Sequence, residues 1–260
     1  MTSHLNAMLA AAINAARQAG VLLRTYYERG VVADHKGEID LVTEADRASE
    51  ALILKSIAGQ YPDHAFLAEE GGASGASSHV WLVDPLDGTT NFAHGYPQFS
   101  VSIALQIDGQ TEIGVVFDPL RDELFTAQRG RGAFLNGCPI RVSATPDLAH
   151  SLLVTGFPYD RQTSEHNNVR QHSAFLMRSQ GVLRAGSAAL DLAAVACGRL
   201  DGYWEYKLSP WDWAAGILLV EEAGGRVTDE QGGALGSRPE GVVASNGRIH
   251  EEMLDVLRNA

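Results

Sequence analysis

The chain has 260 residues, and its contents of 45% hydrophobic and 20% charged residues are typical of a folded globular protein. No stretch approaches the ~18 consecutive apolar residues that a membrane-spanning helix needs, so a membrane protein is not expected. The net charge of −12 disfavours direct binding to nucleic acid. The two cysteines, Cys138 and Cys197, have no ligand pattern around them and indicate neither a zinc site nor a disulfide framework.

The start of the chain is unlike a secretory signal, because its first ten residues contain no Lys or Arg ahead of their alanines. Apolar residues from Leu5 to Ala16 recur at helical spacing, which predicts an amphipathic helix here. These features favour a cytoplasmic protein.

Apolar periodicity, capping residues and turn residues predict the elements in chain order. Helices are expected at residues 4–28, 43–59, 163–178, 187–196 and 210–223, followed by a last helix capped by Asn246. Strands are expected at 80–84, 99–107, 112–118, 122–127, 152–155 and 242–245, with turns at Asp108–Gly109 and Asn136–Gly137. Helices, an antiparallel meander and then alternating strands and helices predict a layered α/β architecture. We place a boundary near residue 145, which divides one cooperative unit into halves 1–145 and 146–260.

Segment 81–92 (WLVDPLDGTTNF) places Asp84 and Asp87 three residues apart after an apolar strand. Pro85 is expected to end that strand, so that both carboxylates face one point, and such oxygen ligands suit a divalent cation. Residues 88–90 (GTT) then open a turn or short helix whose N–H groups favour an anion. The alternative is that both aspartates are ordinary turn residues, since Asp-Gly is a common turn pair.

Other carboxylates occur in similar settings. A short apolar run ends in the paired glutamates Glu69 and Glu70 at a glycine break, so at least one of them can project from a strand end. Asp212 lies in the first turn of a predicted helix, where it can simply complement the helix dipole, although the flanking Trp211 favours a less exposed position. Thr43 and Asp46 have the capping-box spacing, which explains both without a catalytic role.

Together these segments resemble the inositol monophosphatase family of Mg²⁺-dependent, lithium-sensitive phosphatases. Residues 81–92 are similar to the first family signature, and residues 211–225 (WDWAAGILLVEEAGG) are similar to the second. Residues 40–46, 69–70 and 186–189 (GSAA) fall in the family's order and approximate spacing. The resemblance therefore covers nearly the whole chain.

The resemblance implies a five-layer α-β-α-β-α sandwich, like that of inositol monophosphatase and fructose-1,6-bisphosphatase, with the active site between its halves. It also implies a homodimer that uses two or three Mg²⁺ ions to hydrolyse a small phosphorylated polyol or sugar. Inositol 1-phosphate is the default substrate, and histidinol phosphate, fructose 1,6-bisphosphate and nucleotide 3′-phosphates are alternatives. A function of another class stays open, because some bacterial members are partners of the transcription machinery.

The resemblance further implies roles for individual residues. The metal ligands would be Glu69, Asp84, the carbonyl of Leu86, Asp87 and Asp212. The catalytic residues that orient water would be Glu69, Thr89 and Asp46, and phosphate would be bound by Gly88, Thr89 and Thr90. Substrate hydroxyls would meet Asp87, Gly186, Ser187, Ala188 and Glu205. Glu205 has a simpler alternative as a surface residue of a Trp/Tyr segment, and Lys36, in the family's mobile loop, has one as a solvated lysine.

Overall fold

The computed structural model describes residues 2–30, 33–35, 41–236 and 239–260. Lys36, in the loop noted above, and Asp40, the first residue of segment 40–46, lie outside the described residues. None of the helices in the described part of the chain combines the length and the apolar character needed to cross a membrane.

The helices follow the predicted order. They are α1 (Thr2–Arg29), α2 (Glu44–Ala58), α3 (Thr89–Ala93), α4 (Val169–Leu176), α5 (Ala188–Ala196), α6 (Pro210–Glu222) and α7 (His250–Arg258). The last helix begins later than predicted, because the side-chain oxygen of Asn246 accepts hydrogen bonds from the N–H groups of Arg248 and Ile249 and so caps the preceding turn.

The strands form two large sheets and one short ribbon. The strands are β1 (Ala33–His35), β2 (Leu41–Thr43), β3 (Ala65–Ala68), β4 (Gly72–Ser74), β5 (His79–Asp87), β6 (Ser100–Ile107), β7 (Gln110–Asp118), β8 (Glu123–Gln128), β9 (Ala133–Leu135), β10 (Cys138–Pro139), β11 (Leu152–Thr155), β12 (Gly181–Leu183), β13 (Gly202–Tyr206), β14 (Arg226–Asp229) and β15 (Gly241–Ser245). The eight-stranded sheet has the order β10-β9-β8-β7-β6-β5-β3-β4, and the five-stranded sheet has the order β12-β11-β13-β15-β14. The meander β5 to β8 is antiparallel, as the sequence predicted.

Three buried clusters separate five layers. In the first, α1 and α2 pack on one face of the eight-stranded sheet around the buried Trp81. In the second, α5 and α6 pack between the two sheets around Leu192 and Leu218. In the third, α4 and α7 cover the outer face of the five-stranded sheet, where the rings of Phe175 and Trp204 lie 4.0 Å apart. The predicted α-β-α-β-α sandwich is confirmed, while the division into halves at residue 145 stays a prediction.

The strand that carries Asp84 and Asp87 continues through Pro85, so the prediction that it ends there was wrong. Asp84 lies opposite Ser102 of β6, and Asp87 lies opposite Ser100, with a shift of register between the two pairs. Such a bulge admits a proline, which has no N–H for the ladder, without ending the strand. Both carboxylates therefore stay at the same end of β5.

The helix predicted at residues 163–178 is shortened to α4 by a buried polar network. Asn168 has φ of +68° and is fully buried. Its side-chain N–H group donates to the Thr155 hydroxyl at 2.7 Å and to the Gly156 carbonyl at 2.6 Å, while its oxygen accepts from the Trp204 indole at 2.6 Å. Satisfying these buried groups outweighs local helix propensity. Residues 157–167 consequently form a loop.

Two glycines let α6 approach its neighbours closely. A Cβ atom on Gly114 of β7 would lie 2.7 Å from the Ala215 carbonyl oxygen, and one on Gly216 would lie 2.6 Å from Leu192 Cβ of α5. No side chain fits at such distances, so these positions need glycine. Because Asp212 lies in the first turn of α6, this packing fixes the position of that carboxylate relative to β5.

We expect Gly114→Ala to lower the free energy of unfolding by about 1–3 kcal/mol, because the added methyl group forces α6 away from the sheet. Urea unfolding followed by tryptophan fluorescence measures the change. Gly181→Ala in β12 is the matched control, since its Cβ would meet only Leu152 Cδ1 at 3.4 Å. Equal stability of the two variants would contradict the close packing of α6.

Candidate active site

A cleft of 560 Å³ opens where the end of β5 meets the starts of α5 and α6. Among the described residues, its lining includes every residue to which the sequence analysis gave a site role, except Asp46. These lining residues are Glu69, Asp84, Leu86, Asp87, Gly88, Thr89, Thr90, Gly186, Ser187, Ala188, Glu205 and Asp212. The fold thus brings together two segments, 69–90 and 186–212, that are about a hundred residues apart in sequence.

Asp84 is the most crowded of these carboxylates. It is 2% exposed, and its Oδ1 accepts a hydrogen bond from the Leu86 N–H group at 3.0 Å. Burial raises the pKa of Asp84 well above its usual range. The negative charges of Glu69, Asp87 and Asp212 raise this pKa further, which places all four carboxylates close together in the cleft.

Asp87 lies at the N-terminus of α5 and so links the eight-stranded sheet to a helix that packs between the two sheets. Its carboxylate accepts hydrogen bonds from the Ser187 hydroxyl at 2.5 Å and from the N–H groups of Ala188 and Ala189 at 3.1 and 2.9 Å. The Ser100 hydroxyl adds a bond of 3.3 Å. Burial raises the pKa of Asp87 and these bonds oppose the rise. The helix dipole also favours an anion at this position.

Asp46 and Asp212 belong to capping boxes at the starts of α2 and α6. The Thr43 N–H group donates to Asp46 at 2.7 Å, and the Ser209 N–H group donates to Asp212 at 2.7 Å. The capping interpretation of both aspartates is therefore correct. Each also has a second contact, since the other Asp46 oxygen accepts from the Thr89 hydroxyl at 3.0 Å and Asp212 lines the cleft. Capping and a site role coexist.

Thr89 is held at the floor of the cleft by two acceptors. Its hydroxyl oxygen lies 3.0 Å from Asp46 Oδ1 and 3.0 Å from the Leu86 carbonyl oxygen. A hydroxyl has one proton and two lone pairs, so it donates to one of these groups at a time and can accept from the cleft side. This arrangement can orient a water molecule.

Gly88 allows the start of α3 to lie close to the loop before α5. It has φ of +97°, and a Cβ atom here would lie 3.2 Å from the Gly186 carbonyl oxygen. The first hydrogen bond within α3 runs from the Phe92 N–H group to the Gly88 carbonyl at 3.0 Å. The N–H groups of the two intervening threonines therefore precede the helical ladder, where N–H groups favour an anion.

Glu205 of β13 is not the surface residue that the simpler interpretation predicted, because it lines the cleft. One of its oxygens accepts a hydrogen bond from the Tyr203 hydroxyl at 2.8 Å. Burial raises the pKa of Glu205 to about 7, with a contribution from Asp87, while Tyr203 and Arg184 oppose the rise. A Cβ atom at Gly156 would clash with the Glu205 carboxylate, so the backbone that follows β11 also packs on this carboxylate.

The donor chemistry of the cleft fits Mg²⁺. Carboxylate and carbonyl oxygens are the ligands that this ion prefers, and the mutual repulsion of the carboxylates is the kind that a cation relieves. Within the described ranges, no three His, Cys, Asp or Glu side chains already stand at metal-ligand spacing.

The loop before α4 contributes lining residues to which the sequence analysis gave no role. Phe157 and Tyr159, from this loop, line the cleft. Lys207 fastens this loop, since its ammonium group donates to Asp160 and to the Ser164 hydroxyl at 2.7 Å each. The sequence around Lys207 contains no signal that predicts these contacts, because the partners lie more than 40 residues earlier.

Arg184 and Asp191 also line the cleft without having been predicted. Asp191 had a signal in the sequence, because it is the one charged residue of the apolar helix α5 (AALDLAAVA). Asn91 was missed as well, although it lies within the first signature. Its side-chain N–H group donates to the carbonyls of Gln98 and Ala185 at 2.8 Å each, which ties α3 to the loop before α5.

Comparisons with known proteins agree with this geometry. The sequence pattern of the inositol monophosphatase family matches residues 4–260. Inositol-1-monophosphatase of Synechocystis sp. is 48% identical over 98% of this chain and 90% of its own length. Nus factor SuhB of Escherichia coli K12 is 46% identical over 97% of this chain and 96% of its own length.

Among solved structures, inositol monophosphatase from Anabaena (Nostoc) sp. PCC 7120 superposes with a TM-score of 0.92. It is 46% identical, and the match covers 99% of this chain and 97% of that one. Sequence, fold and cleft therefore agree. The chain belongs to the inositol monophosphatase family and is a phosphoric monoester hydrolase.

Proposed function

We propose that this protein hydrolyses the phosphate monoester of a small polyol, inositol 1-phosphate in the first place, with the help of Mg²⁺. The observation that carries the proposal is the cluster of Glu69, Asp84, Asp87 and Asp212 beside the start of α3 in one cleft. The carboxylates suit cations, and the N–H groups at the start of α3 suit phosphate oxygens. A phosphate monoester that binds with Mg²⁺ matches both halves of this arrangement.

Two ions can be shared among these ligands. Glu69, Asp84 and the Leu86 carbonyl would hold one, and Asp84, Asp87 and Asp212 would hold the other. When bound, Mg²⁺ supplies neutralisation of phosphate charge and a lower pKa of water. The number of ions, two or three, is part of the proposal.

The protein's own groups position the other reactants. Glu69 and the Thr89 hydroxyl would orient the attacking water, and Asp46 would hold that hydroxyl in place through its 3.0 Å hydrogen bond. The N–H groups of Gly88, Thr89 and Thr90 would hold the phosphate oxygens. No covalent phosphoenzyme is needed, because water is the nucleophile.

The alcohol half of the substrate would lie toward the second half of the chain. Asp87, Gly186, Ser187, Ala188 and Glu205 line that end of the cleft and would contact its hydroxyl groups. Histidinol phosphate, fructose 1,6-bisphosphate and nucleotide 3′-phosphates remain alternatives. A phosphate-release panel of these compounds with Mg²⁺ tests the choice, and no release from any of them would overturn the proposal.

A homodimer and a cytoplasmic location are further parts of the proposal, supported by the family membership. A second candidate function is suggested by the relatives that bear the name Nus factor SuhB. For this chain it would be a binding role with the transcription machinery. Capture of RNA polymerase components by an inactive Asp84→Asn protein would support that role. Failure of both the wild type and Asp84→Asn to capture them would exclude it.

We expect Asp84→Asn to lower Mg²⁺-dependent activity by at least about 100-fold. This loss is larger than the loss typical of mutating a residue that only hydrogen-bonds to a metal ligand. The fold should persist, because the raised pKa of Asp84 means that its charge destabilises the metal-free protein at neutral pH, and this cost grows as pH rises. Phosphate release and thermal melting measure the two effects. Asp118→Asn, a buried aspartate outside the cleft, is the control, and wild-type turnover of the Asp84 variant would contradict the assignment.

Thr89→Ala should lower kcat by about 100-fold with little change in KM, because it removes the water-orienting hydroxyl and keeps the backbone N–H groups that bind phosphate. Thr89→Ser retains the hydroxyl and should recover most of the activity. Steady-state kinetics of both variants provide the measurement. An effect confined to KM would instead assign Thr89 to binding alone.

Lithium inhibition tests the second ion site. If Li⁺ replaces an ion held by Asp212 after hydrolysis, it traps the product and inhibits uncompetitively. Asp212→Asn keeps an oxygen to accept from the Ser209 N–H group but loses the charge, so it should weaken Mg²⁺ activation and lithium inhibition together. Li⁺ titrations at several Mg²⁺ concentrations measure this. Unchanged dependence on both ions would leave Asp212 as a helix cap only.

A further inference from the structure

Asp191 is a charged residue in an otherwise apolar helix. It lies on α5 one turn after Ser187, so both residues lie on the same face of the helix. Asp191 is 2% exposed and lines the cleft on the side of the alcohol half of the substrate. The mechanism proposed above gives it no role.

The carboxylate of Asp191 differs from the other buried aspartates in its lack of donors. Among the residues that the structure describes, no N–H or O–H group donates a hydrogen bond to it, and its oxygens are not fully enclosed but reach the cleft. By contrast, Asp201 accepts from the Ser143 hydroxyl at 2.5 Å and from the Leu152 N–H group at 2.7 Å. Asp118 accepts from two N–H groups of its own turn. Buried polar groups in folded proteins normally have protein partners, so a carboxylate that lacks them and reaches only the cleft is available to a ligand.

The surroundings of Asp191 make its charge costly. Burial raises the pKa of Asp191 well above its usual range, and the neighbouring Glu205 and Asp87 raise it further. Arg184 opposes this rise without forming an ion pair among the described residues. A structural role would place a donor beside such a group, whereas a binding role leaves the donor to be supplied by the ligand.

We propose that Asp191 is a specificity-determining residue that accepts hydrogen bonds from hydroxyl groups on the alcohol half of the substrate. It therefore favours substrates whose alcohol half carries several free hydroxyl groups over substrates whose alcohol half carries none. A site with an unpaired buried acceptor discriminates strongly against ligands that cannot donate to it. This inference rests on the proposed function, because it assumes that the cleft binds a phosphate monoester.

The experiment compares inositol 1-phosphate with p-nitrophenyl phosphate, whose alcohol half has no further hydroxyl. Asp191→Ala removes the acceptor, and the ratio of kcat/KM for inositol 1-phosphate to that for p-nitrophenyl phosphate should fall about tenfold or more, mainly through KM. Asp191→Asn keeps a carbonyl acceptor and should lie between Asp191→Ala and the wild type. Asp118→Asn, a buried aspartate outside the cleft, should retain the wild-type ratio.

Thermal melting separates a binding role from a structural one. Asp191→Ala should melt at or above the wild-type Tm, because it removes a buried charge without a donor, whereas Asp118→Asn should melt lower, because it disturbs satisfied hydrogen bonds. A lower Tm with an unchanged substrate ratio, or an equal loss for both substrates, would overturn the proposal.

Failure of the proposed function gives a different result. If the wild type hydrolyses neither compound with Mg²⁺, the phosphatase proposal fails. The Asp191 inference is then decided by whether inositol 1-phosphate raises the Tm of the wild type but not that of Asp191→Ala. Stabilisation of both proteins, or of neither, would overturn it.

Discussion

The contact between Asp87 and the start of α5 is the interaction on which the site depends. Asp87 ends a strand of the eight-stranded sheet, and it caps a helix that begins a hundred residues later. This contact joins the end of β5 to the start of α5 and sets the position of the residues after Gly186. Because a helix N-terminus favours an anion, the charge of Asp87 helps to hold these two segments together.

Other carboxylates of the site also have two roles. Asp46 and Asp212 each cap a helix with one oxygen and face Thr89 or the cleft as well. A capping box fixes the rotamer of its carboxylate, and a fixed rotamer is what a catalytic or metal-binding group requires. The capping interpretation and the site interpretation are therefore not competitors, although the sequence analysis weighed them as alternatives.

Crowding of like charges is the cost of this arrangement. Burial and the three neighbouring carboxylates raise the pKa of Asp84, and burial with like charges also raises the pKa values of Glu205 and Asp191. Residues that lower stability in the free protein are typical of functional sites, because the ligand supplies the compensation. Cations would compensate the carboxylates at the phosphate end. Substrate hydroxyls would compensate Asp191.

The sequence by itself determined most of the helices, the antiparallel meander and the carboxylates at the end of β5. Periodicity and caps located the helices and the meander, and segment 81–92 identified the carboxylates, because these signals are local. Tertiary structure decided what local signals cannot contain: the bulge that carries β5 through Pro85, the loop that Asn168 shapes before α4, and the contact of Lys207 with that loop. Each depends on partners distant in sequence, and only the packed chain brings those partners within hydrogen-bond distance.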